Sequence, residues 1–258
     1  MSRKIAARRP TSVEPASNVE WRRWGDEDPF FGVASWANRE REGTNPWTAA
    51  DFYALGARDW ADFRKRWWSY GVERDQCLEL GCGVGRLTKH IAADFREVIG
   101  VDVSEGMLRA ADEHLAEPGI DLRLGNGIVL PAEDACADGV FSSHVFQHFD
   151  SYGVARANLV EIARVLKPCG SAMVHLPLHA FPPGLEALEH LVTAKRQLST
   201  MRAAIKRRTG KPLMRGLVYP MNWLQSTLAA IGYRDVEISI FSTSANDDPH
   251  PFVLMRRA

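Results

Sequence analysis

From Gln76 onward the chain alternates short apolar runs with segments whose apolar residues recur at steps of three and four. "CLEL" predicts a strand, "GRLTKHIAADF" a helix and "EVIGVD" a second strand. "SEGMLRAADEHLA" predicts a helix with Ser104 as its N-cap and Glu105 in the first turn. "IDLRLG" and "DGVFSS" read as two more strands. "ARANLVEIARVLK" puts Leu159, Ile162, Ala163 and Leu166 on one helical face, and "SAMVHLPL" is the next strand. "MNWLQSTLAAIGYRDVEISIF" reads as a helix ended by Gly232 and then a strand, and "PFVLMRR" as the last strand. Strands alternating with helices predict an α/β fold whose parallel sheet is covered on both faces. Ligands of such sheets bind beyond the carboxyl ends of the strands.

The flanking regions are patterned differently. Residues 1–20 carry Arg, Pro and Ser without an apolar face and read as a disordered tail. Residues 21–75 are rich in aromatics and read as a helical cap. In "TAADFYALGARDWADFRKRWW" Phe52, Leu55, Trp60, Phe63 and Trp67 keep helical spacing, with Thr48 as the N-cap. This layer packs on the sheet or forms a lid over a ligand. Residues 179–219 read as a helical insert after the fifth strand. Between His190 and Arg215 it has eight Lys or Arg and no acid. Such a run suits an anionic substrate, a lipid surface or a nucleic-acid backbone, and equally a solvated face or a homodimer contact.

Composition narrows the classes. The 258 residues balance 32 basic against 32 acidic side chains, so no whole-molecule field draws the protein to DNA or to an anionic membrane. No apolar run reaches the roughly 18 residues of a membrane span, and the N-terminus lacks the apolar core of a signal peptide. A cytoplasmic protein is expected. Cys77, Cys82, Cys136 and Cys169 have no zinc spacing and read as free, buried thiols.

The chemistry starts at "ELGCGVGR". Glycines at Gly81, Gly83 and Gly85 follow a strand and precede a helix, which lets a ligand approach the backbone closely. A dinucleotide fingerprint would place its third glycine at Arg86, and Glu79 suits a cation better than a phosphate. The sequence here resembles the class I S-adenosylmethionine-dependent methyltransferases, of methyltransferase type 11 or 12, whose first motif is E/D-x-G-x-G-x-G. The match spans about residues 76–178. It implies a Rossmann-like, doubly wound sheet of seven strands, mostly parallel with an antiparallel last strand. It also implies S-adenosylmethionine as cofactor and S-adenosylhomocysteine as product.

By that resemblance, Asp102 in "VIGVDVS" accepts from the ribose hydroxyls, with Val103 beside it, and Met107 packs on the adenine. Asn126 in "LRLGNG" takes the place of an acid that binds the adenine amino group, next to Gly127. "VFSSHVFQHF" matches the motif beside the methyl group and includes Ser143. "RVLKPCG" matches an L-K-P-G-G turn, with Cys169 in place of a glycine. Tyr53 in "DFYALG" and Arg86 are expected near the amino-acid end of the cofactor.

The acceptor is read less directly. Methyl transfer is an in-line displacement at the sulfonium, so catalysis is largely alignment, and an alcohol must also lose a proton. His144 and His148 follow the strand facing the methyl group and are the candidate bases. His175 and His179 are secondary candidates. No metal is expected, because no acidic third ligand accompanies His144 and His148. The chain lacks the D/N-P-P-Y/F of amine-directed DNA methyltransferases. Pro168-Cys169 is misplaced for a cytosine-C5 nucleophile. The expectation is an O-methyltransferase of a small molecule, favoured a sugar or a glycosylated metabolite. An N- or C-methyltransferase, or an RNA or protein methyltransferase using the basic insert, is the alternative.

Overall fold

The computed structural model describes residues 6–7, 14–179 and 216–258. Residues 180–215, with most of the expected insert and its whole basic run, lie outside the described residues.

The centre of the sheet is β1 (Gln76–Leu80). On one side lie β2 (Glu97–Asp102) and β3 (Ile120–Leu124). On the other lie β4 (Ala137–Ser142), β5 (Leu166–His175), then β7 (Asn246–Arg257) and β6 (Tyr233–Thr243) at the far edge. The first five strands pair in parallel, and β7 runs antiparallel to both of its neighbours. These are the seven strands read from the sequence. A two-residue strand, Ala6–Ala7, adds to the outer edge of β3.

Side-chain alternation assigns the faces. Leu78, Leu80, Ile99, Val101, Val140, Ala172, Val174, Val253 and Met255 point to one side. There they meet α6 (Tyr152–Val165) and α7 (Met221–Ile231) through Leu159, Ile162, Leu224 and Leu228. Cys77, Val98, Phe141, Met173, Phe252 and Leu254 point to the other, against Trp60, Phe63 and Trp67 of α3 (Ala49–Tyr70). A third cluster joins α1 (Ser17–Glu27), α2 (Pro29–Val33) and the start of α3 to α5 (Glu105–His114) through Trp24, Phe52, Tyr53, Met107 and Leu108.

The expected caps form. Thr48 accepts from Asp51 N at 3.1 Å, and Ser104 from Met107 N at 3.3 Å. Three expectations are corrected. Helix α1 begins at Ser17, inside the stretch read as a tail, and its first turn buries the polar Ser17, Asn18 and Glu20, with Trp24 and Gly25 further along. The helix expected over 85–95 shrinks to α4 (Thr88–Ile91), since Gly83 and Gly85, at φ +53° and +78°, keep the preceding turn out of helical geometry. All four cysteines are free, but Cys169 is exposed and Cys136 half-buried. Cys169 has φ +63°, the left-handed conformation that a glycine would adopt freely.

Gly56, mid-helix in α3, is set by close approach. A Cβ there would lie 2.3 Å from the Arg86 carbonyl oxygen. Gly56→Ala is therefore expected to cost roughly 2 kcal/mol through overpacking. Thermal unfolding should show a Tm lower by roughly 4–8 °C for a chain of this size.

Candidate active site

The loop after β1 is tied to the end of β2. Gly81 N and Cys82 N both donate to Val101 O, at 2.7 and 3.0 Å. Gly83 N donates to Asp102 Oδ2 at 2.9 Å, and Ser104 N donates to Asp102 Oδ1 at 3.0 Å. Asp102 thus fixes the glycine loop and the start of α5 together. Burial raises its carboxyl, opposed by those backbone N–H groups. A Cβ on Gly81 would meet Val145 at 2.1 Å, and one on Gly83 would meet Val33 at 2.7 Å.

Beyond this loop lies a cavity of about 340 Å³. Glu79, Gly81, Gly83, Arg86, Asp102, Val103, Met107, Gly127, Ser143, His144 and His148 all line it. Tyr53, Gly85 and Asn126, also expected at the cofactor, are not among its lining residues. The Tyr53 hydroxyl donates to Val84 O at 2.7 Å, so it braces the loop from behind. At Gly85 a Cβ would run into Leu115, so this glycine serves packing against the end of α5. The Asn126 side-chain oxygen already accepts from Ile128 N and Val129 N, at 2.9 and 2.7 Å. It shapes its own loop, and Gly127 carries the wall instead.

Glu79 is buried and accepts from Thr88 Oγ1 at 2.5 Å. Burial drives its carboxyl up to about 8, partly offset by Thr88 and Arg86. A carboxyl raised in the folded state stabilises the fold fully below its unfolded value of about 4.5. That contribution is lost as pH rises toward about 8. Glu79→Gln should flatten the pH dependence of the urea midpoint between those values.

Arg86 pairs with Asp59 of α3, and Asp59 also accepts from Thr243 Oγ1 at 2.8 Å. The guanidinium expected at the cofactor carboxylate is on the wall but already neutralised. His148 sits in a single 3-10 turn (Phe146–His148), edge-on to Trp21 with ring centroids 4.8 Å apart. His144, at φ +57°, instead turns toward His175 and His250, with centroids at 4.5 and 5.1 Å. Burial and mutual proximity hold His144 well below the usual imidazole range and take His175 down to about 3. His179 lies in a two-residue strand, Leu178–His179, paired with Tyr219–Pro220.

Several wall residues were not read from the sequence as site residues: Asn18, Val33, Asp59, Phe149, Asn158 and His250. The aromatic N-terminal segment gave the one usable signal, since Trp21 and Trp36 both reach the cavity.

Residues 78–174 match the family model described as a methyltransferase domain. Over those residues the chain carries a methyltransferase domain of the S-adenosylmethionine-dependent kind. A demethylmenaquinone methyltransferase of Symbiobacterium thermophilum is 41% identical over 103 residues, covering 37% of this chain and 40% of that one. A ubiquinone biosynthesis O-methyltransferase of Maricaulis maris is 27% identical over 165 residues, covering 62% and 59%. The matches span 34–40% of the length of the first three curated relatives. The magnesium protoporphyrin IX methyltransferase of Synechocystis with bound S-adenosylhomocysteine shares the fold. Its TM-score is 0.59 at 15% identity, over 94% of this chain and 100% of that one.

The residues present fit the cofactor of this family. The glycine cradle is one that a single Cβ would fill, Asp102 offers acceptors beside it, and Met107 offers an apolar surface. Glu79, Gly81, Gly83, Asp102, Val103, Met107 and Gly127 would hold S-adenosylmethionine, which supplies an electrophilic methyl group when bound. No described helix is long and apolar enough to cross a membrane.

Proposed function

We propose that the protein transfers a methyl group from S-adenosylmethionine to a hydroxyl of a small molecule. The observation that carries this reading is the continuity of the cavity. It runs from the glycine loop and Asp102 to Ser143, His144 and His148 at the carboxyl end of β4. Donor and acceptor would share one continuous cavity, with an imidazole at its acceptor end.

His148 is the better base. It lies on the wall, half-buried, while His144 is held in the histidine cluster. A positioned base contributes roughly 10²–10⁴ in rate. His148→Ala should lower kcat by at least about 100-fold while leaving the affinity for S-adenosylhomocysteine unchanged. If turnover persists in both His148→Ala and His144→Ala with cofactor binding intact, the acceptor is not a hydroxyl that needs a base. That outcome points to amine or carbon methylation.

A sugar or glycosylated metabolite was the acceptor expected from the sequence. The wall favours a second class. Trp21, Val33, Trp36, Val145, Ile128 and Phe149 make it largely apolar and aromatic, which suits a flat aromatic ring bearing the hydroxyl. The names of the ubiquinone and demethylmenaquinone relatives agree with that class. Parallel assays on phenolic and glycosidic acceptors decide: turnover confined to glycosides rejects the aromatic reading. The protein or RNA alternative would require steeply salt-dependent binding of RNA, or methylation of a protein substrate.

A further inference from the structure

His144, His175 and His250 are far apart in the sequence, and the sheet brings them together. His144 follows β4, His175 ends β5, and His250 lies on β7, which runs antiparallel beside β5. Three adjacent strands therefore deliver one imidazole each to the same end of the sheet. One nitrogen from each ring lies within 4.8 Å of the other two. His175 and His250 are buried and His144 is half-buried.

A core made of three imidazoles is costly unless their nitrogens find partners. Among the described residues, the buried Nδ1 of His175 has no hydrogen-bond partner. Aromatic stacking alone does not satisfy that nitrogen, and the second buried ring, His250, does not make good the deficit. The two rings are 5.6 Å apart centroid to centroid. Neutral imidazoles are the protonation state that a metal requires. Arg86, the cation whose charge acts on His144 and His250, is neutralised by its ion pair with Asp59.

We propose that His144, His175 and His250 form a three-nitrogen site for a divalent ion of the zinc class, with its open coordination position toward the cavity. Zinc–nitrogen bonds of about 2.0–2.1 Å place tetrahedral ligands roughly 3.4 Å apart. The nitrogens, within 4.8 Å of one another, need to close by up to roughly 1.4 Å to reach that spacing, through side-chain rotation. Three histidines with a fourth position open is the pattern of catalytic rather than structural zinc. His144 and His250 both line the cavity, so the open position faces the acceptor end. An acceptor hydroxyl bound there would lose its proton more readily, with His148 taking the proton before the oxygen attacks the methyl carbon. This last role rests on the methyl-transfer reading; the metal site does not.

The test uses the full chain without a polyhistidine tag, stripped with a chelator and titrated with ZnCl2 by calorimetry. Binding of CoCl2 is followed in parallel by its visible spectrum. The expected result is one ion per chain, with an intense tetrahedral cobalt spectrum. Affinity should fall by roughly 100-fold or more in His250→Ala and in His175→Asn, and stay unchanged in His148→Ala. Circular dichroism and S-adenosylhomocysteine titration on the same samples verify folding and test the cofactor reading separately. Absence of stoichiometric zinc or cobalt binding in the folded wild-type protein overturns the site. So does unchanged affinity in folded His250→Ala. Should the variants not fold, the wild-type cobalt spectrum decides: an octahedral, water-like spectrum overturns the proposal.

Discussion

Asp102→Ala is expected to weaken S-adenosylhomocysteine binding by roughly 100-fold or more. Two losses add. A carboxylate that accepts from ligand hydroxyls contributes roughly 1.5–3 kcal/mol per charged hydrogen bond. The same carboxylate holds Gly83 N and Ser104 N, so its removal also frees the glycine loop and the first turn of α5. Asp102→Asn separates the two effects. Its amide oxygen can still accept from one backbone N–H, so the loop should be partly retained while ligand affinity remains low. Calorimetric titration checks both variants. Wild-type affinity in Asp102→Ala would remove this residue from the cofactor site.

Trp67→Ala is expected to produce the largest loss of stability, roughly 3–5 kcal/mol. Trp67 is fully buried between α3 and the sheet, with Phe95 and Phe141 at ring-centroid distances of 5.7 and 5.8 Å. Gly139 is bare because Trp67 occupies the space over it; a Cβ there would lie 2.8 Å from the indole. The indole N–H donates to Ser171 Oγ at 2.9 Å, so truncation leaves a buried hydroxyl unpaired as well as a cavity. Trp67→Phe refills part of the volume and should cost substantially less. Urea unfolding measures both, and a Trp67→Ala cost under about 1 kcal/mol would mean that α3 packs loosely on the sheet.

The central strands were legible because their apolar runs are short, continuous and separated by helical periodicity. The glycine loop was legible because three glycines follow a strand at a fixed spacing, and Asp102 because it ends the next strand. Helix α1 was not, because its buried side is built from Ser17, Asn18, Glu20 and Gly25 with Trp24 as its one large apolar residue, too little for a hydropathy pattern to mark. The turn that Asn126 closes with Ile128 and Val129 was not legible either, because an amide side chain bonding its own backbone leaves no mark on the pattern. The histidine cluster was beyond reach for another reason. His144 and His148 share a local spacing and drew attention as a pair. The partners that His144 meets are His175 and His250, and only strand order makes them neighbours.

Competitive calorimetry of S-adenosylhomocysteine against NAD⁺ on the wild-type chain tests the cradle formed by the glycine loop and Asp102 most directly. The structure predicts one saturable site for S-adenosylhomocysteine, weakened in Asp102→Ala, and no heat from NAD⁺. Saturable NAD⁺ binding with no response to S-adenosylhomocysteine would contradict it.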